Sequence, residues 1–262
     1  MAGEELTPAP LDQSGVQADW VANQVARDNP WYVGSHFAWA EQPSIRRIYE
    51  KRYEFLCESI AAAQQRCGTP LRALDVGCGD GYWLWRLGSL PGVQWTAIDY
   101  NPLRIERAKL VAPRAELHCG ELADVHPAEP FHFVLLNQVI EHVADDIALL
   151  RQIAGFLHAQ GTLVLGTPNE GSLLQRIGAK LRQGGQETDH VHFYTEPVIR
   201  RRIEAAGLVV DRVFREVFYI GFDPLYYWLT ASDWGFRTLE LLTRVFPSQT
   251  SDYYFECRKE DG

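Results

Sequence analysis

Two acids and three glycines occupy one short run, Leu74-Asp75-Val76-Gly77-Cys78-Gly79-Asp80-Gly81, and set the first chemical question. Gly77 and Gly79 allow a tight turn and close approach of a nucleotide, and Gly81 leaves room where a helix would begin. A strand ending at Val76 and followed by such a turn would present free backbone amides at the carboxyl edge of a parallel sheet. The spacing is GxGxG, not the GxGxxG of dinucleotide sites, and Asp75 and Asp80 stand close to where a pyrophosphate would lie. Coulomb repulsion and carboxylate desolvation disfavour that ligand. An adenosyl ligand without phosphates, carrying an ammonium and a sulfonium, matches the charge, with Asp75 accepting from its amine. Asp99 ends the next apolar run, "WTAIDYN", at the separation expected of a carboxylate that binds both ribose hydroxyls. A nicotinamide cofactor shares that last feature.

A second set of reactive side chains lies downstream. His142 is a candidate general base, because imidazole accepts a proton near neutral pH. The stretch "TDHVHFYT" supplies Asp189, His190 and His192; in extended chain the two histidines would face one side and Val191 and Phe193 the other. Either histidine could act as base or orient an acceptor. A zinc pair is disfavoured because the sequence locates no third ligand for it.

These residues need elements to position them. Short apolar runs at 71–76, 93–98, 114–119, 131–136 and 161–167 read as strands, alternating with helical patterns near 81–90, 102–110 and 145–158. That alternation is the pattern of a doubly wound α/β domain, 71–262. Asn101 followed by Pro102 forms a helix start, and Gly161 is positioned to release a helix into a strand. Upstream, 16–70 reads as a mainly helical cap, with Ser44 as a capping residue and Ile45, Ile48, Phe55, Leu56 and Ile60 at helical recurrence. Residues 169–194 form a substrate-side loop with a short helix and a mobile part around Gly184-Gly185. A helix at 195–206, a strand from Leu208 and a last strand at 252–259 follow. The intervening segment 219–250 is an aromatic helical insertion that could pack on the core, form a dimer surface or a membrane-facing patch, or cover the acceptor cleft, with Phe222, Tyr226, Tyr227, Trp228 and Trp234 packed over an apolar acceptor or lining the underside of a lid.

Composition narrows the function. In 262 residues, 46% hydrophobic and 23% charged, one substantial core is expected. The formal charge of -9 repels polyanions, so nucleic acid is not the expected partner. Five cysteines without CxxC pairing fit a reducing, cytoplasmic setting. No charged leader or apolar run of membrane-spanning length is expected, and 1–15 reads as a flexible tail. Peripheral membrane contact and a homodimer stay open.

The glycine loop, "AIDYN", "HCGELADV", "FHFVLLNQVIEHV" and "GTLVLGTPN" resemble, in that order, the motifs of class I S-adenosylmethionine-dependent methyltransferases, over about residues 71–207. The resemblance implies a Rossmann-like, mostly parallel seven-stranded sheet with helices on both faces and an antiparallel final strand. It implies S-adenosyl-L-methionine as cofactor, held by Asp75, Gly77, Cys78, Gly79, Asp99 and Tyr100, with Glu121 and Leu122 at the adenine edge. Asn137 and Gln138 match the region where the methionine portion meets the acceptor. His132 replaces a frequent acid at the far end of its strand, where a structural role is expected. "QVIEHVADD" and "GTPN" look like the branch of quinone-biosynthetic and small-molecule O-methyltransferases, some of which hold a divalent metal through Glu-x-x-Glu-His. Here Gln138 replaces the first acid before Glu141 and His142, and a neutral amide is a weaker ligand for a hard cation, so no metal is expected. The resulting expectation is methyl transfer to a hydroxyl of a small, partly apolar acceptor, with histidine assistance from His142, His190 or His192. The alternatives are N-methylation of a sugar or other metabolite, a nicotinamide oxidoreductase, and a noncatalytic adenosyl-ligand binding protein.

Overall fold

The computed structural model describes residues 36–181 and 190–260. The proposed tail, the Gly184-Gly185 segment and Asp189 lie outside them. Seven strands, β1 (Leu71–Val76), β2 (Val93–Asp99), β3 (Glu116–Cys119), β4 (Phe131–Asn137), β5 (Leu157–Pro168), β6 (Leu208–Arg215) and β7 (Asp252–Lys259), form one sheet in the order β3-β2-β1-β4-β5-β7-β6. The first five strands pair in parallel, and β7 runs antiparallel to both β5 and β6.

Helices cover both faces because alternate strand residues point to opposite sides. Ala73, Phe133, Leu135 and Val164 face one core with α1 (His36–Ala40), α2 (Pro43–Cys67), α3 (Tyr82–Leu87) and α4 (Pro102–Val111). Leu74, Val134, Leu136 and Leu165 face the other with α5 (Asp146–Phe156) and α7 (Glu196–Ala205). Buried on both faces, β1 and β4 need continuous apolar sequence, which is why they are legible as short uninterrupted runs.

Helix α2 buries Ile45, Ile48, Tyr49, Arg52, Phe55, Leu56, Ser59, Ile60 and Ala63, one face at helical spacing. It begins at Pro43 after Gln42, so Ser44 is not its cap, and it ends where Gly68 donates to the Gln64 carbonyl at 2.9 Å. Asn101 does cap α4, its Oδ1 accepting from the amides of Leu103 and Arg104. Gly161 ends no helix: α5 stops at Phe156, β5 starts at Leu157 and Gly161 lies inside that strand.

Within 169–194 stands α6 (Leu173–Leu181), and within 219–250 stand α8 (Asp223–Ala231) and α9 (Asp233–Val245). The latter pair rests on a small separate core of Ile48, Val217, Tyr219, Tyr226, Phe236 and Leu239. Of the five aromatics proposed to cover an acceptor, only Tyr226 is buried; Trp228 and Trp234 pair with each other, and both lie more than half exposed, at 58% and 57%. Burying Tyr226 and Phe236 uses the inward face of each helix and leaves the tryptophans outside.

Candidate functional site

The glycine loop leaves β1 at the carboxyl edge of the sheet, beside the ends of β2 and β4. Gly77 takes a positive φ of 73° with its missing Cβ aimed at the Val139 side chain, so any larger residue would meet both strain and a clash. The expected free cradle of amides is only partly present. Gly77 and Cys78 donate to the Ile98 carbonyl, and Gly79 donates to Asp99 Oδ2 at 2.8 Å. Asp99 Oδ1 accepts from Asn101 at 2.8 Å, so one carboxylate locks the loop to the end of β2 and stands 7% exposed at its rim. Tyr100 follows, partly exposed, and Leu122 is buried.

The two loop acids divide. Asp80 accepts from the His36 amide and lies within 3.6 Å of Arg107 and 3.9 Å of Arg104, anchoring α1 and α4 over the loop. Asp75 is 2% exposed, and its Oδ2 has no hydrogen-bond partner among the described residues. Burial, reinforced by Asp99, pushes its carboxyl up to about 8. A buried oxygen of this kind suits a ligand that brings hydrogen-bond donors and positive charge, and disfavours phosphate. These features of Asp75 and Asp99, with the close approach at Gly77, fit S-adenosylmethionine. Glu121 is exposed and heads a short turn in which its amide donates to Asp124 Oδ2 at 2.9 Å.

His36, missed in the sequence, roofs the loop. It stacks on Tyr82 at 5.3 Å and its Nε2 lies 2.8 Å from Tyr49 Oη; burial, with Arg104 and Arg52, lowers its pKa to about 3, so it is neutral.

Beyond β4 the backbone turns through Gln138, the one non-glycine residue with positive φ among those described, at 56°. Such a strained conformation is a mark of functional turns. Asn137 Oδ1 accepts from Tyr254 at 2.6 Å, and Gln138 Nε2 donates to Asp252 Oδ1 at 3.0 Å. Gln138 is therefore tied to β7. Behind Asp252, Arg52 from α2 grips Glu216 in a two-pronged contact and lies 3.4 Å from Asp252. Burial alone would favour the neutral guanidinium, but Glu216, Tyr254 and Asp252 hold its pKa above the ordinary value. The sequence carries no local signal for this cluster, because α2, the Glu216 segment and β7 meet only in the fold.

The histidines separate into two environments. The chain at 191–192 docks on the turn after β4, with Val191 and His192 both donating to the Glu141 carbonyl. That contact brings His190 to His142, with ring centroids 4.6 Å apart at 82°. His190 Nδ1 lies 2.6 Å from Glu170 Oε2, a partner absent from the sequence reading. His192 faces elsewhere: its Nε2 donates to the carbonyls of Val143 and Ala144 at 3.1 and 3.2 Å, and it stacks on Tyr194. The alternation with exposed Val191 and Phe193 holds, yet His190 and His192 take different partners.

Glu141 is 1% exposed; Thr167 donates to its Oε2 at 3.2 Å, while Oε1 has no hydrogen-bond partner among the described residues, and burial pushes its carboxyl up to about 7. Ligand atoms of Glu141, His142 and His190 all lie within 4.8 Å of one another, so these three could hold a metal ion. The cluster joins His190 not to His192 but to Glu141 and His142, the two residues of the Glu-x-x-Glu-His pattern that the chain retains. At the other end of the sheet, His132 Nδ1 accepts from the Arg72 amide, a structural role.

A family model described as "Methyltransferase domain" matches residues 48–213. The chain is 29% identical over 228 residues to a ubiquinone biosynthesis O-methyltransferase of Rhodopseudomonas palustris, covering 80% of this chain and 87% of that protein. It is also 29% identical over 184 residues to a protein of the same description from another strain of that species, covering 63% and 72% of the two chains. Among solved structures, a putative sarcosine dimethylglycine methyltransferase from Galdieria sulphuraria is similar in fold, with a TM-score of 0.56, 15% identity and coverage of 85% and 90%.

Proposed function

The chain belongs to the methyltransferase-domain family of S-adenosylmethionine-dependent enzymes, and from that premise we propose that it methylates a hydroxyl oxygen of a small, partly apolar metabolite. The observation that carries the oxygen assignment is the Glu170–His190 pair beside His142, next to the turn at Asn137 and Gln138. A carboxylate accepting from Nδ1 fixes the neutral ring with its lone pair on Nε2, which is the arrangement of an oriented general base. A hydroxyl acceptor gains from such a base, whereas a neutral amine does not need one.

S-adenosylmethionine, when bound, supplies a methyl carbon activated by its sulfonium. Asp75 would accept from its ammonium and Asp99 from the ribose hydroxyls. Asn137 and Gln138 would border the methionine portion, and Asp252 fixes the Gln138 side chain. His190 would take the proton of the acceptor hydroxyl as its oxygen receives the methyl group, with the neutral thioether as the leaving group. Alignment in a shielded site supplies most of the acceleration. The sequence similarity to ubiquinone biosynthesis O-methyltransferases supports the oxygen assignment and an apolar aromatic acceptor.

The clustered ligand atoms of Glu141, His142 and His190 favour a second reading, in which they hold a divalent cation. One carboxylate and two imidazoles suit zinc or manganese better than magnesium, and Glu170 behind His190 is the outer-shell carboxylate common at metal-bound histidines. Such an ion would polarise the acceptor oxygen as a Lewis acid.

Under saturating cofactor, His190→Ala and Glu170→Gln should each lower kcat by about 100-fold or more while cofactor affinity stays near wild type. Near-native turnover in both would refute the base assignment. Calorimetric titration of Zn2+ into wild type and Glu141→Gln separates the second reading, which requires binding by the first protein alone.

A further inference from the structure

We propose that Tyr254 and Asp252 of β7 are positioning residues that set the polarity of the Asn137 and Gln138 amides, so that the turn after β4 reads the amino-acid end of S-adenosylmethionine. The proposal rests on the placement of that turn beside the methionine portion. Asn137, Gly166 and Tyr254 stand in one row across β4, β5 and β7. A tyrosine two strands away reaches an asparagine only where the residue between them leaves the way open. A Cβ on Gly166 would lie 2.5 Å from Tyr254 Cε1 and 2.8 Å from Asn137 Oδ1, so the row requires glycine at its centre. Across that gap Tyr254 donates to Asn137 Oδ1 at 2.6 Å. Asp252, two residues earlier and therefore on the same face of β7, accepts from Gln138 Nε2 at 3.0 Å.

Each contact engages one end of an amide and thereby decides what the other end offers. With Oδ1 taken by Tyr254, Asn137 has its Nδ2 donor to give to a ligand; with Nε2 taken by Asp252, Gln138 has its Oε1 acceptor. A donor and an acceptor on successive residues match a ligand end that carries a carboxylate and an ammonium. Arg52 braces both residues of β7, since its guanidinium lies 3.4 Å from Asp252 and its Cζ 5.3 Å from the centre of the Tyr254 ring. A cation in that place favours Asp252 as an acceptor, which holds the Gln138 amide in one orientation. The backbone is fixed as well, because the Gln138 amide donates to the Gly166 carbonyl at 2.9 Å.

Calorimetric titration of S-adenosylmethionine and of 5′-methylthioadenosine, which lacks the amino-acid end, into the full chain tests the clamp. Tyr254→Phe removes one hydroxyl and keeps the ring. It should weaken S-adenosylmethionine binding by about 3- to 10-fold, the worth of one hydrogen bond, and leave the affinity for 5′-methylthioadenosine at the wild-type value. Asn137→Ala should show the same selectivity, and adding Tyr254→Phe to it should cost nothing more, because the hydroxyl acts through that amide. Asp252→Ala and Gln138→Ala should behave as a second pair of this kind. Equal losses for the two ligands would make Tyr254 and Asp252 structural only and overturn the proposal, as would additive losses within each pair. Wild-type affinity in Tyr254→Phe and Asp252→Ala beside impaired Asn137→Ala and Gln138→Ala would overturn the clamp and leave the turn at the methionine portion. Four single variants that all bind S-adenosylmethionine like wild type would refute that placement, and the clamp with it.

Discussion

Asp75 and Asp99 put two buried carboxylates at the root of the glycine loop, and their electrostatics makes two expectations measurable. Asp75 is raised from an ordinary 3.8 to about 8. Between those values the folded, unliganded protein keeps a proton that the unfolded chain has lost, so stability falls as pH rises through this window. Asp75→Asn should remove that part of the loss, which thermal melts between pH 5 and about 8.5 would register as a flatter curve. The same variant should bind S-adenosylmethionine about tenfold or more weakly, because the amide cannot offer a charge to the ammonium. Asp99→Ala should weaken cofactor binding by about 10- to 100-fold in calorimetry, the worth of hydrogen bonds to a charged group. Unchanged affinity in a folded Asp99→Ala protein would contradict its ribose role. At this scale the glycine turn and the strand ends beside it were legible, since Asp75, Gly77, Gly79 and Asp99 lie on a strand, a turn and the next strand. The acceptor side was legible only in residue type. Glu170 finds His190 because the 191–192 segment docks on the Glu141 carbonyl, a backbone contact between distant parts of the chain with no local pattern. The partners of His192, the Val143 and Ala144 carbonyls, were hidden for the same reason.

Among the elements, α2 does more than cap the sheet. It delivers Arg52, 5% exposed, to Glu216 and Asp252, and Asp252 in turn holds Gln138 at the turn after β4. Arg52→Ala should therefore cost about 3–5 kcal/mol in denaturant unfolding, because two carboxylates would stay in the interior without their cation. A loss below about 1 kcal/mol would mean that water already compensates them. The strands were readable where burial on both faces demands apolar runs, and α4 where Asn101 and Pro102 supply local capping chemistry. Boundaries set by tertiary contact were not. Phe156 passes directly into Leu157, so the helix-to-strand switch carries no glycine, and Gly161 falls inside β5. Ser44 failed as a cap because Pro43 already begins the helix one residue earlier.

For the whole molecule, the sheet order β3-β2-β1-β4-β5-β7-β6 gathers the donor loop, the turn after β4 and the Glu170–His190 pair at the end of the sheet where the parallel strands finish. The net charge of -9 disfavours polyanions without choosing among small acceptors. Wild type and His190→Ala, each with labelled S-adenosylmethionine and a cell metabolite extract, followed by identification of the atom that gains the methyl group, test the central claim most directly. The expected result is a methyl on oxygen, with turnover in the variant reduced by about 100-fold or more while cofactor binding persists. A methyl on nitrogen, or near-native turnover without the His190 imidazole, would contradict it.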